Sequence, residues 1–331
     1  MRKFLLGLLA TVVLIAAAIW WFSDSDIPRA TLEAKYATSP SQFVIVDYFS
    51  TQPSPDATPG TPTAMLTRVH YRERGPKDAP ALLLLHGSNA SLFTWEPWSK
   101  ILSDQYRVIS VDLPGHGLTG AVPSQDYSDE GMARFVKNFA DKLGLQKFAI
   151  AGNSMGGAVA ARFAEDNPNR VTRLILVDAG GMPFKPGDKE PLAFQLARTP
   201  MIRDVMLYVT PRSIVTEGLN DAIVRKAIIN DRMVDEYWEF ARMDGTREAT
   251  LERFSLPDDT YVKDHVSALK MPTLILWGDQ DHLIPVETAH DFARAIPGSK
   301  LIVYQGTGHI PQEEVAVRSA ADARTFLSTV P

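Results

Sequence analysis

Residues Phe148 to Ala161, FAIAGNSMGGAVAA, constrain the fold of this chain more than any other stretch. An apolar run, Phe148 to Ala151, meets Gly152-Asn153-Ser154-Met155-Gly156, and a small-residue helical segment follows. A Gly-x-Ser-x-Gly pattern between a strand and a helix makes a sharp turn whose central residue takes a strained backbone. The flanking glycines allow strand and helix to approach closely. The serine hydroxyl is thereby lifted clear of the sheet. It is aimed at the N-terminal end of the next helix, where backbone N–H groups favour developing negative charge.

A serine hydroxyl is a poor nucleophile until a histidine takes its proton, and the histidine needs a carboxylate to fix its tautomer. Downstream, the strand Leu274 to Trp277 is followed by Gly278-Asp279-Gln280-Asp281-His282-Leu283-Ile284-Pro285. The strand Leu301 to Tyr304 leads into Gly306-Thr307-Gly308-His309. A glycine-flanked loop suits a histidine that must reach a serine far away in sequence. Asp279 and Asp281 leave one strand end and Asp178 follows the strand Leu174 to Val177, so three acids compete to serve His309.

The order serine, acid, histidine resembles the α/β-hydrolase superfamily, and the resemblance covers roughly residues 40–331. Leu82-Leu83-Leu84-Leu85-His86-Gly87-Ser88 is similar to the family's strand ending in the oxyanion loop. Val111-Asp112-Leu113-Pro114-Gly115-His116-Gly117 is similar to its next strand and turn. The resemblance implies Ser154 as nucleophile, His309 as base, and the amides of Ser88 and Met155 as the oxyanion hole. It implies Asp281 as the acid, through the family's Gly-x-x-Asp-x-x-x-Pro pattern completed by Pro285, with Asp178 as the alternative. Asp279 is then a loop organiser and His282 a solvent-facing or substrate-lining residue. His86 and His116 are expected to bond backbone groups of their own loops, and Asp112 to tie down the turn after it; His70, His265 and His290 have no supporting cluster.

Strands near 81–85, 107–111, 147–151, 173–177, 273–277 and 300–304 alternate with helices near 92–104, 129–143, 154–167, 286–296 and 312–328. Such alternation predicts an α/β fold, a mostly parallel sheet with helices on both faces. Phe43 to Phe49 and Met65 to Tyr71 form a preceding pair of strands around Ser50 to Thr63, a proline-rich loop. Alternation stops over Met182 to Lys270, which reads as helical, with Ile223, Ala227, Ile228 and Trp238 on one apolar face. The expected organisation is a segment 1–22, a linker 23–41 with a short helix around Thr31 to Tyr36, a core 42–180 and 271–331, and an inserted helical cap 181–270. The cap holds five of the ten methionines, with Phe184, Phe194, Tyr208, Tyr237, Trp238, Phe240 and Phe254. Such residues either line an adaptable acyl cleft or only pack the lid against the core.

The N-terminus carries a separate signal. Arg2 and Lys3 precede Phe4 to Phe22, an uncharged run that would span ~28 Å as a helix, against a ~30 Å hydrocarbon core. It reads as a single-span anchor, residues 4–22, with the catalytic domain on the non-cytoplasmic side. A cleaved signal giving a secreted or periplasmic protein is the alternative, through Ala16-Ala17-Ala18. A net charge of −5 offers no footprint for nucleic acid, and the absence of cysteine rules out disulfides. No metal-ligand spacing or phosphate-binding glycine loop is visible, so neither metal nor cofactor is expected.

The resemblance implies a serine hydrolase acting on a small, lipid-like carboxylic ester with an apolar acyl part, similar to monoacylglycerol lipases. A carbon–carbon bond hydrolase of the meta-cleavage-product type is the alternative, similar around Gly152 to Gly157. Those enzymes carry a longer glycine run where Ser88-Asn89-Ala90-Ser91 stands here. Haloalkane dehalogenases and epoxide hydrolases place an aspartate at the elbow, which Ser154 argues against. From another class, a non-catalytic binding protein on this fold is argued against by the full set of Ser154, Asp281 and His309.

Overall fold

The apolar runs of the sequence become the strands of one sheet in the computed structural model, which describes residues 25–49, 64–183, 199–256 and 261–329. The eight strands are β1 (Ser41–Phe49), β2 (Ala64–Arg74), β3 (Ala81–Leu85), β4 (Arg107–Val111), β5 (Phe148–Asn153), β6 (Val171–Val177), β7 (Thr273–Gly278) and β8 (Lys300–Tyr304). They lie in the order β1-β2-β4-β3-β5-β6-β7-β8. Strands β3 to β8 pair in parallel, whereas β2 runs antiparallel to both β1 and β4. Leu82 to Leu85 and Leu274 to Trp277 have no exposed surface, as strands covered on both faces require.

The helices outside the insertion are α1 (Arg29–Tyr36), α2 (Glu96–Leu102), α3 (Asp129–Lys142) and α4 (Met155–Asp166). After β6 come α5 (Pro200–Met206), α6 (Arg212–Ala222), α7 (Asp231–Ala241), α8 (Thr246–Ser255) and α9 (Tyr261–His265). After β7 come α10 (Val286–Ala295), α11 (Pro311–Glu314) and α12 (Ala316–Ser328). One face of the sheet packs Phe135 and Phe139 of α3, Phe163 of α4 and Phe292 of α10. The other packs Trp98 of α2 against Ala320, Ala323 and Phe326 of α12. Parallel strands bring their C-terminal ends to one edge of the sheet, where α/β folds bind ligands. Ser154, Asp281 and His309 all follow C-terminal strand ends on that edge.

Three expected helices are broken, each for a local reason. Residues 92–104 form a 3-10 turn, Leu92–Trp95, started by Ser91, whose hydroxyl accepts from Phe93 N, before Pro97 opens α2. Residues 312–328 divide at Val315 into α11 and α12. The single face expected over Leu219 to Met243 is three pieces, because the Asn230 side chain caps α7 by accepting from Met233 N at 3.1 Å. Ala227 and Ile228 therefore sit in a separate 3-10 turn.

Within the stretch expected as a linker, α1 docks onto the insertion: Leu32 and Tyr36 pack with Phe240 and Met243. Phe254 packs with Leu251, Met206 and Leu207, while Tyr237 packs with Val234, Ile223 and Ile310. These apolar residues thus hold the insertion together. Phe184, Phe194 and the proline-rich stretch 50–63 lie outside the described residues.

The expected membrane location is corrected. Among the described residues no helix is long and apolar enough to cross a membrane. The longest of them, α3, has 14 residues and spans only ~21 Å. Residues 4–22 lie outside the described residues, so neither the anchored location nor its secreted or periplasmic alternative enters the functional reading.

Candidate active site

Ser154 has φ +54° and ψ −122°, a backbone that non-glycine residues rarely adopt. Sterics explain why the neighbours are glycines. A Cβ on Gly152 would lie 2.0 Å from Gly156 O, and one on Gly156 would lie 2.3 Å from Leu85 O. The elbow is held from both sides: Ser154 N donates to Val177 O, while Gly157 N and Gly180 N donate to Ser154 O.

His309 lies in the loop after β8, 5% exposed, and its Nδ1 is 2.7 Å from Oδ2 of Asp281. The other Asp281 oxygen accepts the amides of Leu283 and Ile284 at 2.8 and 3.0 Å. That arrangement fixes the carboxylate and orients the imidazole, leaving Nε2 as the outward nitrogen. Asn153, next to the serine, donates to His309 O at 3.0 Å, so the elbow and the histidine loop are tied directly. The Ser154 hydroxyl itself makes no hydrogen bond among the described residues. Such catalytic contacts often tighten only when substrate binds.

Gly87 brings the loop after β3 against the elbow: a Cβ added there would lie 3.0 Å from Ser154 Cβ. Ser88 follows in that loop, and Met155 is the first residue of α4. Among the described residues neither amide donates to a protein acceptor, as an anion-binding pair requires.

Asp178, the alternative acid, is fully buried directly behind Asp281. Its Oδ1 accepts from Gly278 N at 2.9 Å, and its Oδ2 has no partner. Burial, then the neighbouring Asp281 charge, pushes its pKa well above the ordinary carboxylate value. Asp178, Asp281 and His309 also form the one group among the described residues whose ligand atoms, all within 4.8 Å, could hold a metal ion. The His309–Asp281 bond already links two of those atoms, and burial raises the pKa of the third acid.

The remaining polar residues fall into place around this core. Asp279 Oδ1 accepts from Gly306 N at 2.7 Å and so pins the start of the histidine loop. His282 is exposed. His86 Nδ1 bonds Gly87 O at 2.7 Å and its Nε2 accepts from Leu113 N; His116 Nδ1 bonds Pro114 O at 2.9 Å. Burial keeps both imidazoles neutral, lowering His116 to about 3.

Three contributors were missed in the sequence. Glu314 accepts from Gly308 N at 2.7 Å with one oxygen, and from Val224 N and Arg225 N at 3.0 and 2.9 Å with the other. It thus staples the histidine loop to the insertion, and His309 N donates to Ala222 O at 2.7 Å beside it. Arg253 of α8 donates to Ser88 Oγ at 2.8 Å. His70, read as unsupported, bonds Asp112 Oδ2 at 2.6 Å and Ser41 Oγ at 2.9 Å. Only tertiary contacts reveal these partners; the nearness of Glu314 to His309 in sequence was the one available hint.

Residues 80–316 match the alpha/beta hydrolase fold family. An uncharacterized protein of Mycobacterium tuberculosis is 31% identical over 299 residues, covering 84% of each chain. A 2-hydroxy-6-oxononadienedioate/2-hydroxy-6-oxononatrienedioate hydrolase of Escherichia coli is 30% identical over 258 residues, covering 75% of this chain and 87% of that one. Among solved structures, a thermophilic esterase from Thermogutta terrifontis superposes with a TM-score of 0.69 at 27% identity, covering 86% of this chain and 98% of that one.

Proposed function

Since the chain belongs to the alpha/beta hydrolase fold family, we propose that it is a serine hydrolase cleaving carboxylic esters with an apolar acyl part. The observation that carries the reading is a serine at φ +54° on a helix N-terminus, whose neighbour Asn153 donates to the backbone of a buried histidine bonded to Asp281. In this reading Ser154 Oγ attacks the ester carbonyl while His309 Nε2 takes its proton. Asp281 stabilises the imidazolium, and the Ser88 and Met155 amides hold the tetrahedral oxyanion. His309 then protonates the leaving alcohol. Water, deprotonated by the same nitrogen, attacks the acyl-enzyme and frees the acid. Residues 181–270 serve as the cap, and Glu314 joins the cap to the histidine loop.

Likeness to an esterase supports the ester reading. The Escherichia coli relative, named for a substrate with a carbon skeleton to be cut, favours a second one: hydrolysis of a carbon–carbon bond next to a ketone. A panel of 4-nitrophenyl esters from acetate to decanoate, run beside a meta-cleavage dienol ketone, separates the two. The ester reading expects turnover of the esters, rising with acyl length, and little of the ketone. Turnover confined to the ketone would overturn it.

A further inference from the structure

Arg253 is a half-buried cation that has no salt-bridge partner among the described residues. It projects from α8 and donates Nη1–H to Ser88 Oγ at 2.8 Å. Its Nε is buried with no hydrogen-bond partner, and it has no ion pair among the described residues. The nearest large ring, Phe254, lies 5.7 Å from the guanidinium carbon. His86 and His116 feel its charge, but both are held neutral and neither supplies an acceptor charge. The charge of Asp129 reaches it only as a secondary influence, and burial pulls the guanidinium's pKa down.

Taking a guanidinium out of water costs several kcal/mol unless its donors and charge are matched. Arg134 also keeps a buried Nε without a partner, but its charge is matched by Asp126 at 2.6 Å, as that of Arg72 is by Glu96 at 2.7 Å. Arg253 alone is tied to the oxyanion loop, and its planar fork keeps further N–H donors suited to a bidentate oxygen acceptor. The Ser88 side chain that it holds belongs to the residue whose amide is the proposed oxyanion donor, so the guanidinium lies beside the proposed oxyanion hole.

We propose that Arg253 is a specificity-determining residue that binds an anionic oxygen group of the substrate, carboxylate or phosphate, next to the scissile carbonyl. This inference rests on the ester-hydrolase reading and adds a charged group to its substrate. The anion would accept from the donors that no described residue meets, beside the existing tie of α8 to Ser88.

The test has two parts. The first compares kcat/KM for 4-nitrophenyl butyrate with the matched hemisuccinate ester and with an ester bearing a phosphate at the same distance, in the wild type, R253Q and R253K. R253Q should lower the charged esters about ten- to a hundredfold more than the neutral one, with R253K intermediate. The better charged substrate names the anion. Equal losses on all three esters would mark Arg253 as a structural tie between α8 and Ser88 and overturn the proposal. The second part needs no turnover: succinate and glycerol phosphate are titrated calorimetrically into S154A with and without R253Q. Binding weakened at least tenfold by R253Q supports the anion site even if no ester is cleaved; equal binding, or none to either protein, rejects it.

Discussion

Two serine–histidine–aspartate groupings lie among the described residues, and by distance alone the one that the proposed function does not use is better assembled. In the first, Ser41 Oγ is 2.9 Å from His70 Nε2, and His70 Nδ1 is 2.6 Å from Asp112 Oδ2, with the last two side chains fully buried. In the second, His309 and Asp281 are 2.7 Å apart and the Ser154 hydroxyl is not yet engaged. The difference lies in presentation. Ser41 stands at the start of β1, and its oxygen already accepts Arg72 Nε–H at 3.0 Å. Asp112 is occupied by the amides of Leu92 and Leu118, both at 2.8 Å. That chain knits β1, β2 and the turn after β4 together. Ser154, by contrast, sits at a strained bend with two unbonded amides beside it. Under the proposed function, an anion site beside the hydroxyl, and not a relay of hydrogen bonds alone, sets Ser154 apart from Ser41.

The comparison breaks most readily at the two serines. Ser154→Ala should lower kcat on a turned-over ester by on the order of 10⁶, with unchanged melting behaviour. Ser41→Ala should leave kcat/KM within about threefold and instead lower stability by about 1 kcal/mol, read by urea unfolding. Comparable losses of activity from both would erase the distinction.

The histidines sharpen it next. His70→Ala strands the buried Asp112 carboxylate and should cost about 3–5 kcal/mol of stability. The specific activity of the folded fraction should persist. His309→Ala should do the reverse, abolishing turnover with a far smaller change in the urea midpoint.

Glu314→Ala leaves three amides of the histidine loop and insertion unpaired, at an expected cost of about 3 kcal/mol. Turnover should fall with it, since the His309 loop loses its tie, and Glu314→Gln should recover much of both. A Glu314→Ala protein with wild-type activity and stability would remove this staple from the account.

The smallest effect is one of pH, on the side of the Ser41 chain. Glu236 and Glu313 face a cavity of about 260 Å³ also lined by Arg72, Phe93 and Tyr237. Burial, then the charge of Glu313, raises Glu236 to about 8 from an ordinary 4.5. Between those values the folded chain holds a proton that the unfolded chain releases. Its contribution is therefore complete below about pH 4.5 and lost as pH rises through about 8. Glu236→Gln should gain on the wild type as pH goes from 5 to 9, reaching ~1 kcal/mol after allowance for partial exposure. A gain that shrinks with rising pH would contradict the assignment.

What was legible in the sequence follows the range of the forces involved. The elbow could be read because its pattern is local in sequence: the Gly156 carbonyl demands glycine at 152, although glycine at 156 is demanded by the distant Leu85 carbonyl. The parallel strands could be read because full burial leaves unbroken apolar runs such as Leu82 to Leu85. Asp281 lies against His309, with Asp178 brought up behind it by the end of the neighbouring strand. His70 was opaque: its partners are 42 and 29 residues away, joined only by strand pairing and the turn after β4. Arg253 and Glu314 were opaque for the same reason, since the docking of the insertion supplies their contacts. The break at Asn230 was missed because an apolar period continued across a capping residue.

The central claim is that presentation, and not the relay, makes one of these serines reactive. The direct measurement is labelling of the intact protein with a fluorophosphonate, followed by peptide mass spectrometry to locate the adduct. One stoichiometric adduct on Ser154, with Ser41 unmodified, is the predicted result. An adduct on Ser41, or no modified serine at all, would contradict it.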